Sequence, residues 1–235
     1  MKRTALIAGL LAVGSLVVGS PAGAAPPQVR ELVVFRDGSA ISKTVSTRSA
    51  GVSVAGRRCV VGEATALAAL VRSKPGRLRL RDFGSCSNRP RDGSGLFVQA
   101  IRRDGNRGQN GWVYKVGRRA ATAGAADVSG AFGRGRLRAG QRVTWFYCRL
   151  VGGGCQYTLE LRLRTQPGTL VATVRGYDDE AEGIAVAGAT VSAGGASAQT
   201  DATGVARLTL AAGGYKVVAT KAGLVRSFAE RVGVP

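Results

Sequence analysis

The chain has 235 residues, with 34 Lys and Arg against 14 Asp and Glu, four cysteines and no histidine, for a formal net charge of +20. Without histidine, Ser-His-Asp and Cys-His catalysis and histidine-bearing zinc sites are excluded. A basic balance of this size favours anionic partners.

The first residues have the pattern of a secretory leader. Lys2 and Arg3 give a charged start, an apolar run extends from Thr4 to Val18, and Ala22-Gly23-Ala24 forms a small-residue cleavage site. The expectation is a signal peptide over 1–24, cut after Ala24. The apolar run is short for a membrane span, and no second long apolar segment follows, so no span is expected once the leader is gone. The mature protein is expected to be secreted or held at the cell surface, which removes intracellular nucleic acid from its partners.

An exported chain with an even number of cysteines is read as disulfide-bonded. Four cysteines allow three connectivities, of which Cys59–Cys86 and Cys148–Cys155 are favoured. The second pair lies in "YCRLVGGGCQY", two apolar runs joined through a glycine turn, and cysteines opposed in a hairpin have suitable spacing for a bridge. The cysteine spacings fit no zinc pattern, so neither a metal nor a cofactor is expected.

One helix is expected in "GEATALAALVRSKPG", starting after Gly62, carrying Leu67, Leu70 and Val71 on one side, and stopped by Pro75-Gly76. Period-two alternation predicts strands at 30–35, 77–81, 95–102, 111–117, 142–148 and 157–164, separated by Gly- and Asp-rich turns. "RTQPGTL", 164–170, is the expected boundary, because the charge balance changes there. From residue 167 onward six basic and six acidic side chains cancel, so the +18 left after loss of Lys2 and Arg3 lies between 25 and 166. Beyond the boundary, short strands at close spacing and turns at Asp201–Gly204 and Gly213-Gly214 predict an all-β unit. The fold class expected is mainly β: an α+β domain with one helix on antiparallel sheet over 29–164, then a small all-β sandwich over 168–235.

Two resemblances follow from these motifs. Gly111, Trp112, Tyr114 and Val116, then Gly124 and Asp127, then Leu137, Gly140, Val143, Trp145 and Tyr147 form an ordered pattern. It resembles bacterial secreted domains similar to the C-terminal domain of transcobalamin and intrinsic factor. Departures are Arg118 and Arg119 where Asn-Gly is usual, Val128 for an aromatic, Gln141 for an acid, and an added cysteine hairpin. In the second half Val186, Gly188, Ala189 and Val191, then Thr200, Asp201 and Gly204, then Gly214, Tyr215, Val217 and Ala219 resemble prealbumin-like, carboxypeptidase-regulatory-like β-sandwiches. The resemblances imply a non-enzymatic binding protein, with the first domain recognising a ligand and the sandwich supporting it. Cobalamin itself is a poor candidate, because the helical domain that carries most of the vitamin has no counterpart.

The ligand-binding candidates are Trp112, Gly124, Ala125 and Asp127. Trp112 reads either as a core anchor or as a platform beside Gly111, since tryptophan buries a large area in either setting. Gly124 and Ala125 would let backbone approach a small ligand. Asp127 reads either as a ligand acceptor or as a turn cap. Trp145 and Tyr147, alternating on one strand, read as core. Arg77, Arg79 and Arg81 on one strand face and Arg134, Arg136 and Arg138 in a glycine-rich loop are candidates for contact with an anionic cell-surface polymer. Against that, 28 of the 34 basic residues are arginine, which makes arginine the chain's general solubilising residue. The acidic run Asp178, Asp179, Glu180 and Glu182 lacks calcium-loop spacing and reads as a solvated turn.

Overall fold

The computed structural model describes residues 25–235, so the expected leader lies outside the described residues. The described chain is mainly β with one helix. The first half contains β1 (Gln28–Val34), β2 (Ala40–Ser46), β3 (Ala50–Val54), β4 (Arg57–Val61), α1 (Ala66–Ser73), β5 (Leu78–Asp82), β6 (Leu96–Ile101), β7 (Asp104–Gly105), β8 (Gly111–Val116), β9 (Arg119–Ala120) and β10 (Arg142–Cys148). The second contains β11 (Thr158–Gln166), β12 (Thr169–Tyr177), β13 (Gly183–Ala185), β14 (Thr190–Ala193), β15 (Ala196–Gln199), β16 (Val205–Thr209), β17 (Gly213–Thr220) and β18 (Glu230–Val234).

The helix forms where the sequence marks it. The Thr65 hydroxyl caps it by accepting from Ala68 N–H, and Lys74 ends it in the left-handed region, one residue before Pro75. Ala66 to Leu70 are all buried, so the helix is enclosed rather than laid on a surface. Alanine at three of those five positions lets strands approach closely. Leu67 and Leu70 are fully buried, each contributing about 2 kcal/mol of apolar transfer.

The helix packs on a five-stranded sheet of order β2-β1-β10-β8-β9. Its second and third strands, β1 and β10, are parallel, with Arg30 opposite Arg142 and Val34 opposite Phe146, whereas the other pairings in the sheet are antiparallel. An all-antiparallel sheet was expected, and the first and last strands of this half depart from it. Two smaller sheets, β3-β4 and β5-β6-β7, close the core. Trp145 and Tyr147 lie in that core, as their alternation predicts.

The second half is a sandwich. One four-stranded sheet has order β11-β12-β13, with β16 also on β12; the other has order β15-β14-β17-β18. They enclose a core that includes Leu159, Leu161, Leu170, Val174, Val191, Leu208 and Val217. Within the stretch 164–170, Pro167 and Gly168 form the turn of a hairpin between β11 and β12. β11 pairs with β12 over nine positions, from Thr158–Tyr177 to Gln166–Thr169. Leu159 and Leu161 therefore pack with the second core rather than the first.

Both expected disulfides are present, Cys59–Cys86 and Cys148–Cys155, with Cα–Cα distances of 5.4 and 5.2 Å. By the chain-entropy argument, loops of these lengths are stabilised by about 3–4 and about 2–3 kcal/mol.

Candidate functional site

A cleft of about 270 Å³ opens beside the stretch that the sequence singles out. It touches Leu96, Phe97 and Val98 on β6, and Trp112 through Lys115 on β8. Neighbouring residues in a strand point to opposite faces. A cleft that touches three or four in succession therefore meets both strands edge-on, along their backbones. β6 and β8 are not hydrogen-bonded to each other as a ladder. The Asn106 side chain ties them at one end, donating to Val98 O at 3.0 Å and accepting from Trp112 N–H at 2.9 Å. Further along β8, Ala121 N–H donates to Tyr114 O at 3.2 Å. The N–H and C=O of a strand residue face the same side. The Trp112 carbonyl and the Tyr114 N–H are thus directed away from β10, toward the cleft.

The walls are apolar. Val113, Ala121, Ala123, Ala125 and Phe146 are among the residues that line them. At the lip Phe97 is 44 % exposed and meets the more exposed Phe83 edge-on, with ring centroids 5.8 Å apart. The Arg81 guanidinium stands 4.6 Å from the Phe83 ring.

The polar end of the cleft is made by the two halves together. Lys115 is buried, and its ammonium donates to Tyr177 O at 3.0 Å and Asp178 O at 2.6 Å, with Asp179 Oδ1 at 3.3 Å. Burial pushes the Lys115 pKa down, and the Asp179 carboxylate opposes that shift. The other Asp179 oxygen accepts from Cys155 N–H at 3.1 Å, which fixes the cysteine hairpin against the acidic turn.

Of the four ligand-binding candidates, Trp112, Gly124 and Ala125 border this cleft and Asp127 does not. Trp112 is 4 % exposed. Its indole N–H donates to Asp104 O at 2.7 Å, and its ring sits edge-on to Phe35 and Tyr147 at 5.9 and 6.0 Å. Packing and a hydrogen bond therefore already engage the indole. Asp127 accepts from Ser129 N–H at 2.7 Å, the turn-cap geometry. The small residues around it serve the helix: Ala125 O accepts from Leu67 N–H at 2.7 Å, and Ala126 is fully buried.

Phe97 and Lys115 belong to the cleft and were not singled out in the sequence, and Asp179, read there only as part of a solvated acidic turn, belongs to it as well. A lysine within the apolar run "GWVYKVG" is a signal, since a charge on a buried strand needs a partner. The acidic run turns at Asp178, whose carboxylate accepts from Glu180 and Glu182 N–H, while Asp179 serves Lys115.

Arg77, Arg79, Arg81, Arg134, Arg136 and Arg138 are all exposed. None of the six forms an ion pair among the described residues. They lie on two segments, β5 with its approach and the loop before β10. Among the described residues no group of three or more metal-ligating side chains converges, and no helix is long and apolar enough to cross a membrane.

No family model matches the chain, and neither does any curated protein or solved structure.

Proposed function

We propose that the chain is an exported, non-enzymatic binding protein whose first half takes an apolar ligand bearing an amide or similar hydrogen-bonding group. The observation that carries this reading is the edge-on cleft between β6 and β8, apolar along its walls, with a backbone acceptor at Trp112 and a donor at Tyr114. Small-molecule sites commonly combine apolar walls with a few placed polar groups. The only carboxylate lining the cleft, Asp179, is engaged by Lys115 and Cys155, which favours binding over acid–base chemistry. The leader pattern and the two disulfides support export, and the resemblance to transcobalamin-type C-terminal domains supports placing recognition at this strand and loop. In this reading the sandwich holds the polar end of the cleft in place.

The test is saturable binding of a neutral apolar fluorophore, N-phenyl-1-naphthylamine, to the full chain at high salt. Ala123→Phe, which fills the cleft, is expected to weaken binding by about tenfold or more, while leaving the melting temperature near that of the parent. Equal binding by both proteins would remove the cleft from consideration.

A second reading is contact with an anionic cell-surface polymer through the first half. The six exposed arginines without an acidic partner favour it.

A further inference from the structure

Like charges placed directly opposite each other across a strand pair repel and destabilise the pair. Two such cation pairs stand where the halves meet. The first is Arg30 on β1 and Arg142 on β10, which share a register position. One carboxylate, Glu230, lies between them. Arg30 Nη1 donates to Oε2 at 2.9 Å, and Arg142 Nη2 lies 2.9 Å from Oε1, an ion pair outside hydrogen-bond geometry. The fold thus resolves this repulsion with an internal anion.

The second pair is Lys216 on β17 and Arg231 on β18, opposite each other in antiparallel register. Neither has an acidic partner among the described residues. Both line a cleft of about 260 Å³, together with Arg30, Ser42, Lys43 and Thr44, and no carboxylate lines it. Ser42 and Thr44 are two apart on β2, so their hydroxyls share one face. Lys43, between them, points to the opposite face, where its ammonium donates to Ser73 O at 2.6 Å.

We propose that Lys216 and Arg231, with the Ser42 and Thr44 hydroxyls, form a binding site for a ligand carrying several phosphate- or sulfate-type oxyanions. That ligand would do for Lys216 and Arg231 what the Glu230 carboxylate does for Arg30 and Arg142. Arginine presents a planar fork that spans two oxygens of such a group, lysine adds a compact charge, and hydroxyls donate to the remaining oxygens. Arg30 is already paired with Glu230, and a single charge would leave one of Lys216 and Arg231 unmatched, so a multivalent anion fits better. Because β1 and β2 come from one half and β17 and β18 from the other, the bound anion would also join the halves. This site is separate from the apolar cleft and does not depend on it.

The experiment is calorimetric titration of the full chain with inorganic tripolyphosphate at low ionic strength, with sucrose octasulfate in a parallel arm to separate phosphate- from sulfate-bearing ligands. One saturable site is expected in at least one arm. Lys216→Ala/Arg231→Ala is expected to weaken it by about tenfold or more. Arg58→Ala/Arg89→Ala removes the same charge from exposed positions elsewhere in the first half and is expected to leave it within about twofold. Without ligand, the first double variant should melt at or above the parent temperature, since a repulsive pair is gone; ligand should raise the melting temperature of the parent and of the control variant more than that of the first double variant. Lys216→Gln, which keeps most of the aliphatic stem, gives the same direction should the double variant fold poorly. Equal losses in the two double variants, or binding without saturation in both arms, would overturn the proposal in favour of diffuse attraction by net charge.

Discussion

Glu31 is a costly residue for the fold to bury. It sits on β1 beneath the end of α1, 1 % exposed, with both carboxyl oxygens lacking a hydrogen-bond partner. Burial pushes its pKa to about 8 from an ordinary 4.5, against the opposing pull of Ser73 and Lys43. The folded state therefore holds a proton that the unfolded chain releases, and the sign follows from that. The stabilising contribution is full below about pH 4.5 and is lost as pH rises toward about 8. Glu31→Gln, neutral at every pH, is expected to abolish this decline, a gain on the order of a few kcal/mol at about pH 8 in urea unfolding. If the parent is equally stable at both ends of that range, the carboxyl is not buried as described. Trp112 is the opposite kind of residue, apolar and fully engaged. Removing its indole deletes contacts with Phe35 and Tyr147 and the bond to Asp104 O. Trp112→Ala is expected to cost about 3–5 kcal/mol by thermal melting, the range for large aromatic deletions. A variant that melts like the parent would mean that the indole is held in reserve for a ligand.

Local signals made some elements legible, and distance hid others. The helix was readable because Thr65, the apolar spacing and Pro75-Gly76 lie within a few residues of one another. β8 and β10 were readable from alternation, and the Cys148–Cys155 bridge from its glycine turn. β2 was not, since only Val45 of its seven residues is buried and its Ser and Thr positions resemble a loop. β3 and β4, around Ala55-Gly56, were obscured by their short length, with Gly51 and Ser53 interrupting the first and Arg57-Arg58 opening the second. The parallel pairing of β1 with β10 joins segments far apart in the chain, and no turn residue announces such a pair. The pairing of β11 with β12 around Pro167-Gly168 was not legible either, because proline and glycine mark a tight turn as readily as a linker. At the cleft, Gly124 and Ala125 were recognisable as small residues in a loop. Asp179 was not, because its partner Lys115 approaches from another strand, and nothing in an acidic turn specifies which cation it meets. Lys115 makes its bonds to Tyr177 and Asp178 across 62 and 63 residues of sequence.

At the scale of the whole molecule, the charge asymmetry becomes the fastening between the halves. Each inter-half ion pair joins a cation of the first half to an acid of the second: Lys115 with Asp179, Arg118 with Glu160 through two 2.6 Å bonds, and Arg30 and Arg142 with Glu230. The Arg118 guanidinium holds the Glu160 carboxyl below its usual range. An apolar patch of Leu32, Val34 and Phe146 against Val225 and Phe228 lies beneath these pairs. Arg30 and Arg142 also stand over the Phe228 ring, at 5.2 and 5.4 Å. The pairs are not equivalent. Loss of Glu160 frees one partly exposed arginine to reach water, whereas loss of Glu230 leaves two arginines facing each other across a strand pair with nothing between them. Glu230 is 19 % exposed at its side chain, so its bonds count for less than fully buried ones but more than surface ones. Glu230→Ala is expected to cost about 2 kcal/mol, the scale of hydrogen bonds to charged groups, and to lower the melting temperature by roughly 4–8 °C. Glu160→Ala is expected to cost less. The two losses should also respond differently to salt. Added salt screens the repulsion between Arg30 and Arg142, so the Glu230→Ala deficit should shrink at high ionic strength. A Glu230→Ala deficit no larger than that of Glu160→Ala, or one that grows with salt, would show that the apolar patch and not the shared carboxylate holds the halves together.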